Sequence, residues 1–267
     1  MNGVKPKKAL GQHFLTDLGV AERIASTLDG YAGCDILEIG PGMGVLTRFL
    51  LEKHPAGKVA VAEIDHESVE WLESHLNDPK PRIIEGDFLT MDLDKLFPGD
   101  ADFCVIGNYP YNISSQIFFR VLDYRRRIVC CSGMLQREVA ERLAAPPGGK
   151  TRGILSVLLQ AWYDVEYLFT VSEGVFNPPP KVKSGVIRMT RNSRTDLGVD
   201  ETLFRTVVKT TFGQRRKTIR NSVRGLLSPG ADTSALPYLT QRPEQLTVEQ
   251  FVELSVAVDA ARKAGEQ

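Results

Sequence analysis

Long apolar runs are missing from this 267-residue sequence. No segment approaches the roughly 20 residues a membrane helix needs. The basic N-terminus, MNGVKPKKALGQHFL, has no apolar stretch behind it of the kind that would read as an export signal. The expectation is a soluble, cytoplasmic protein with no membrane partner. Cysteine is scarce: Cys34, Cys104, Cys130 and Cys131 sit in or beside apolar stretches without metal-ligand spacing. That excludes a zinc framework and a disulfide scaffold, and leaves four reduced core thiols and no metal site. Histidine is equally sparse, and His54, His66 and His75 fall in helix-like or surface segments with no cysteine or serine set to form a nucleophilic dyad. No internal repeat or low-complexity tract is visible, which excludes a solenoid or a disordered chain.

Net charge is absent too, with 33 basic and 33 acidic residues, but the balance conceals an asymmetry. Residues 35–102 carry 15 acidic and 6 basic side chains, net −9. Residues 181–224 carry 12 basic and 3 acidic, net +9, and residues 120–152 carry 8 basic and 3 acidic. A polyanion responds to the local field of a basic face, so nucleic acid is a plausible partner despite the neutral total.

The first half alternates short apolar strands (CDILEIG, KVAVAEID, PRIIEGD, DFCVIGN) with helix-spaced segments (GVLTRFLLEK, HESVEWLESHL). This rhythm predicts a parallel, doubly wound α/β sheet, in which ligands bind beyond the C-terminal strand ends. Each strand delivers a polar residue there: Glu38, Glu63 with Asp65, Asp87, and Asn108. Farther on, SSQIFFRVL reads as a helix, RIVCCSGMLQREVAERLAA as strand then helix, GILSVLLQAWYDVEYLFTV as helix then strand, and KVKSGVIRMT as a last strand. NPPPK is a rigid extended corner, because three prolines cannot sit inside a ladder or helix. Composition changes near Arg191, which predicts a catalytic domain over residues 1–190 and a small all-helical domain over 191–267, its helical patterns separated by a Pro/Gly-containing region.

In ILEIGPGMGVLTRFL, Gly40, Gly42 and Gly44 lie between a strand and a helix. The dinucleotide fingerprint needs glycine at 45, where Val45 stands, and a Walker loop needs a Gly-Lys-Ser/Thr ending that is missing. The arrangement suits a zwitterionic nucleoside whose amino-acid end meets backbone groups, with Glu38 assisting. Glu63 is placed to accept from ribose hydroxyls, Asp87 from an adenine amine, and Phe88 to cover the ring. This half alone does not separate S-adenosylmethionine from a nucleotide. The stretch GNYPYN narrows the choice. The Asn108 side-chain carbonyl and the backbone carbonyl of Tyr109 can accept from an exocyclic base amine, Pro110 stiffens the corner, and Tyr111 offers a face on which an extracted base stacks.

Taken in order, KKALGQHFLTD, EIGPGMGVLT, AEID, EGDFL, GNYPYNISSQIFF, MLQREVAERL, VFNPPPKVKSGVI and FGQRRKTIRNSV resemble the small-subunit (16S) ribosomal RNA adenine dimethyltransferases over about residues 7–225. The resemblance implies a Rossmann-like class I S-adenosylmethionine-dependent methyltransferase fold with a helical C-terminal domain. It implies transfer of methyl groups to N6 of two adjacent adenosines in the 3′-terminal hairpin of that RNA, within a partly assembled 30S particle, late in subunit biogenesis. It assigns donor contacts to Gln12, His13, Leu15, Gly40, Glu63, Asp87 and Phe88, and the target base to Asn108 and Tyr111; with the residues read above, the expected donor set also includes Glu38, Gly42 and Asn108, and the expected catalytic set Tyr109 and Pro110. His13 stands where the family commonly has Asn, and Tyr109 where it has Leu or Ile, so a larger ring at 109 is expected to reshape the entrance. YRRR at 124–127 and PPGGKTR are expected near RNA phosphates around the mouth, and GQRRKTIRNSVR as a basic helix on the small domain. A monomer is expected. The competing readings are a large-subunit RNA adenine methylase conferring macrolide resistance, and an assembly factor acting by binding.

Overall fold

The computed structural model describes residues 4–228 and 233–264; Pro229 and Gly230, part of the separating Pro/Gly region, lie outside them. The strands are β1 (Phe14–Leu15), β2 (Asp35–Ile39), β3 (Val59–Glu63), β4 (Arg82–Glu85), β5 (Phe103–Asn108), β6 (Ile128–Gln136), β7 (Tyr163–Val171), β8 (Phe176–Asn177) and β9 (Ser184–Arg191). The helices are α1 (Leu18–Ala25), α2 (Val45–Lys53), α3 (His66–His75), α4 (Leu93–Leu96), α5 (Ser114–Asp123), α6 (Arg137–Ala144), α7 (Ile154–Gln160), α8 (Glu201–Gly213), α9 (Ile219–Ser222) and α10 (Val248–Ala264).

A seven-stranded sheet runs in the order β4-β3-β2-β5-β6-β9-β7, and its first five strands are mutually parallel. The central strands are apolar on both faces because helices cover both: β3 is buried at every position and β5 at all but its last. Ile36, Val59, Cys104 and Cys130 pack with Ile24, Leu46 and Leu50 of α1 and α2 in one core. The sheet is not wholly parallel, as the sequence rhythm suggested. The chain enters β9 at Ser184, beside Gln136 at the C-terminal end of β6, and so must run back against it. A separate two-stranded ladder pairs β1 with β8, setting Phe14 against Asn177 and Leu15 against Phe176. Asp17 then starts α1 by accepting from the Val20 N–H.

Two compact units emerge: Met1–Glu141 with Asp164–Arg191, and Arg142–Tyr163 with Asn192–Gln267. This differs from a single cut at residue 190, because residues 142–163 belong with the helical part. The reason is polar as much as apolar. The fully buried Arg152 donates to the Ala145 carbonyl at 2.8 Å and to Gln160 Oε1 at 2.5 Å, Gln160 donates to the Leu143 carbonyl at 2.8 Å, and the Asn192 N–H reaches the Trp162 carbonyl at 2.9 Å. Within this unit α8, capped by Asp200, turns Phe204, Val207, Val208 and Phe212 inward, and Phe212 stacks on Phe251 of α10 at 6.0 Å. GQRRKTIRNSVR does not form one basic helix. Its first residue, Gly213, ends α8, turns follow, and α9 has only four residues, with Arg216, Lys217 and Arg220 exposed along the way.

Candidate active site

Parallel strands end together, so the polar residues that follow them must share a rim. They enclose a cavity of about 300 Å³, at the small end of ligand pockets, and all thirteen candidate residues line it: Gln12, His13, Leu15, Glu38, Gly40, Gly42, Glu63, Asp87, Phe88, Asn108, Tyr109, Pro110 and Tyr111.

The loop after β2 takes left-handed backbone at Gly40 (φ 64°) and Gly42 (φ 55°), which is why glycine stands there. A Cβ on Gly42 would come within 2.8 Å of the Phe14 ring, whereas one on Gly40 would meet nothing within 4 Å and would project into open space. The loop is drawn back onto β3: the Gly42 N–H donates to Glu63 Oε2 at 3.0 Å, and the Asp65 N–H to Oε1 at 2.9 Å. Each Glu63 oxygen therefore already holds one backbone donor and keeps a lone pair for a ligand hydroxyl. Burial pushes the Glu63 carboxyl above the ordinary carboxylate range. Asp87, after β4, fixes its side chain by accepting from the Leu89 N–H at 2.9 Å, and Phe88 beside it is buried.

Glu38 is the chemically unusual member. It is 1% exposed, its Oε2 has no hydrogen-bond partner, and burial, then the nearby Glu63 charge, push its carboxyl up to about 8. An orphaned buried carboxyl on the wall of a cavity fits a ligand that brings its own cation or donor. The linkage sign follows. Unfolded chain ionises near the ordinary value of 4.5 while folded protein without ligand stays protonated to about 8, so this group erodes stability as pH rises between those values and adds no further loss above them. Glu38→Gln is expected to raise the melting temperature of the ligand-free protein at pH 8 and leave it unchanged at pH 4. A cationic ligand that ionises Glu38 would release a proton on binding, and the same substitution is expected to abolish that release, which calorimetry in buffers of different ionisation enthalpy measures.

The N-terminal arm closes one side. Asp65 anchors it, accepting from Lys7 Nζ at 2.5 Å, Gln12 Nε2 at 3.2 Å and Ser68 Oγ at 3.0 Å. Burial alone would raise Asp65, but these three bonds outweigh it and hold the carboxyl below the usual range. Gln12 also accepts from the Lys7 N–H at 2.7 Å, so both ends of its amide help to shape the arm. His13 faces the other way: Nδ1 lies 2.8 Å from the Pro178 carbonyl, which can only accept, so Nδ1 carries the proton. The ring lies 5.5 Å from that of Tyr111.

Asn108 ends β5 with its amide orientation set by the arm. Nδ2 donates to the His13 carbonyl at 3.0 Å, so the amide's remaining acceptor is Oδ1. Tyr111 is fixed at its far end, Oη lying 2.5 Å from Ser184 Oγ. Burial raises its phenol, which stays protonated. Tyr109 does not shape the entrance, as its bulk suggested. It is 1% exposed, its hydroxyl donates to the Ser132 carbonyl at 2.6 Å, and its ring packs edge-on to Phe118. Gly107 and Gly133 leave the room: a Cβ on either would lie within 3.2 Å of the ring. The larger residue is absorbed by the core.

YRRR is likewise displaced from the mouth. It precedes β6, and the Phe103 N–H bonds to the Arg127 carbonyl, so this turn lies at the N-terminal rim, opposite Asn108. Arg127 is also engaged by Asp94 at 2.9 Å. PPGGKTR belongs to the other unit. Sequence reasoning passed over Lys7, Pro178 and Ser184. The visible signals were a lysine in the arm, an acidic pair two residues apart in EID, and a serine closing PPPKVKS.

A seven-stranded sheet with an antiparallel strand beside β6, a glycine loop after the inner strand β2 and an acidic residue ending the adjacent β3 is the fold of the class I S-adenosylmethionine-dependent methyltransferases. A solved dimethyladenosine transferase from Plasmodium falciparum shares that fold, at a TM-score of 0.78 and 22% identity over 93% of this chain and 98% of its own. The 23S rRNA methyltransferase ErmE superposes at 0.71, with 25% identity over 92% and 99%. The family model for ribosomal RNA adenine dimethylase matches residues 3–256, and the chain belongs to that family. Ribosomal RNA small subunit methyltransferase A of Parabacteroides distasonis is 68% identical over 96% of this chain and 95% of its own length. The Flavobacterium johnsoniae protein of the same name is 53% identical over 97% and 98%.

Proposed function

We propose that this enzyme transfers methyl groups from S-adenosylmethionine to N6 of two adjacent adenosines in the 3′-terminal hairpin of small-subunit ribosomal RNA, in the cytoplasm, on a partly assembled 30S particle. The observation that carries the reading is the Asn108 amide, pinned by the His13 carbonyl so that Oδ1 is its acceptor in a cavity whose wall holds the buried Glu38 with its Oε2 unpartnered.

Glu38, Gly40 and Gly42 would hold the amino-acid end of the donor, Glu63 the ribose, Asp87 and Phe88 the adenine, with Gln12, His13 and Leu15 of the arm closing over it. The donor, when bound, supplies an electrophilic methyl group on a sulfonium. The chain's part is to make a poor nucleophile attack. Adenine N6 has its lone pair delocalised into the ring. Asn108 Oδ1 and the Tyr109 carbonyl accept from the amine, favouring the localised, tetrahedral nitrogen, while Pro110 holds the corner and the Tyr111 ring supports the base. Charge on the attacking nitrogen makes it acidic as it develops, so its proton is lost to solvent after transfer, and the two oxygens need only accept hydrogen bonds beforehand. In the second unit, Lys150 and the exposed Arg216, Lys217 and Arg220 would contact RNA phosphates, and the protein acts as a monomer.

Labelled methyl transfer to undermethylated small subunits, run beside unmodified large-subunit RNA, tests the target. Label in the small subunit is expected. Label confined to large-subunit RNA would move the reading to a resistance methylase, and tight particle binding without label to an assembly factor.

A further inference from the structure

The loop after β4 folds back on itself around Asp87. The Leu89 N–H donates to Asp87 Oδ1 at 2.9 Å, and the Thr90 and Met91 N–H groups both donate to the Asp87 carbonyl at 3.0 Å. Met91 closes the turn from behind, its Cε so near Gly86 that a Cβ there would come within 2.9 Å of it. Gly86, Asp87, Phe88 and Leu89 line the cavity, and Met91 does not. What holds Met91 comes from another element. Arg120 of α5 donates from Nη2 to the Met91 carbonyl. The same nitrogen lies 3.5 Å from Tyr124 Oη, and the guanidinium sits 4.8 Å above the centre of the Tyr124 ring. Arg120 is half-buried, its Nε is buried without a hydrogen-bond partner, and among the described residues no carboxylate pairs with it. A cation that gives up water without meeting an opposite charge acts chiefly on the carbonyl it holds.

We propose that Arg120 is a positioning residue for donor recognition: by holding the Met91 carbonyl it fixes the turn that presents the Asp87 carboxylate, and so sets the preference for adenine as the base of the donor. With Oδ1 held by the Leu89 N–H, Oδ2 is the oxygen offered to the adenine amine. A ring without that amine gains nothing from the alignment. Arg120 therefore acts on one contact, and the parts of the donor held at Glu38, Gly40, Gly42 and Glu63 do not depend on it. The inference rests on the donor site proposed above.

The test is calorimetric binding of two nucleosides to full-length wild type, Arg120→Met, Asp87→Ala and the double variant. One nucleoside is S-adenosylhomocysteine, left after methyl transfer; the other is its analogue with unsubstituted purine in place of adenine. Wild type binds the adenine form about tenfold tighter, the lower end for a hydrogen bond to a charged group. Arg120→Met keeps the apolar stem but loses the donors, and its affinity for the adenine form falls roughly fivefold as most of that preference disappears. Its affinity for the purine form holds, which also shows that the variant folds. In Asp87→Ala the two forms bind alike, and adding Arg120→Met changes neither. In methyl transfer, Arg120→Met raises KM for the donor and leaves kcat at saturation unchanged. Equal losses for both forms, or none for either, overturn the positioning role while leaving the donor site intact. Wild type that binds neither form removes both.

Discussion

Asn108→Ala lowers methyl transfer by about 10²–10³-fold, the scale seen when one preorganised polar contact to a transition state is removed. Donor affinity changes little. The substitution deletes the oxygen proposed to accept from N6 and also the amide that holds the His13 carbonyl at 3.0 Å, but the arm keeps its anchors at Asp65 and in the β1–β8 ladder. The loss should therefore fall on kcat, and single-turnover rates beside calorimetric donor binding will separate the two. Asn108→Asp is the sharper control. It restores an acceptor, but its ionised carboxylate cannot donate to the His13 carbonyl, so an oxygen is present without its orientation. Equal loss of transfer and donor affinity in Asn108→Ala would contradict the role given to this side chain.

Gly133→Ala is expected to leave little folded protein. The residue sits in β6 at φ 150°, and a Cβ there would lie 2.2 Å from the Gly107 carbonyl oxygen and 2.7 Å from Tyr109 Cε2. A side chain can turn away, but the Gly107 oxygen belongs to the neighbouring strand and cannot without breaking the β5–β6 ladder. A penalty above about 4 kcal/mol falls among the exceptional single-residue effects. Thermal unfolding would shift by roughly 10 °C or more at about 2–4 °C per kcal/mol for a chain of this size. Tyr109→Leu relieves only the ring contact, so the double variant should remain defective. Recovery by the double variant would show that the ring, and not the strand neighbour, sets the need for glycine.

The contrast between these residues explains what the sequence made legible. Glu38, Glu63, Asp87 and Asn108 could be placed together because parallel strands end at one rim, and short apolar strands alternating with helices announce themselves. The glycine loop was legible for the same reason, since a turn between strand and helix has few backbone solutions. What escaped depends on side-chain direction and long-range pairing, which periodicity does not encode. Tyr109 follows the strand at the same rim as Asn108, yet its ring turns inward because Gly107 and Gly133 vacate space there, one of them 24 residues away in the chain. The turn at 124–127 looked like a phosphate contact from its charge, but strand polarity puts it at the wrong end of the sheet. The link from His13 to Pro178 spans 165 residues, and that from Tyr111 to Ser184 spans 73. Residues 142–163 read as part of the sheet domain because the buried hydrogen bonds of Arg152 and Gln160 leave no trace in an apolar pattern.

Nucleoside analysis of the RNA after reaction is the most direct measurement, with undermethylated small subunits, labelled S-adenosylmethionine, digestion and mass spectrometry with position mapping. The expected product is N6,N6-dimethyladenosine at two neighbouring positions in the 3′-terminal hairpin, four labelled methyl groups per particle, formed about 10²–10³-fold more slowly with Asn108→Ala. Label on a ribose oxygen, on another base, or on a ring nitrogen of adenine would contradict the assignment of Asn108 Oδ1 and the Tyr109 carbonyl to the exocyclic amine.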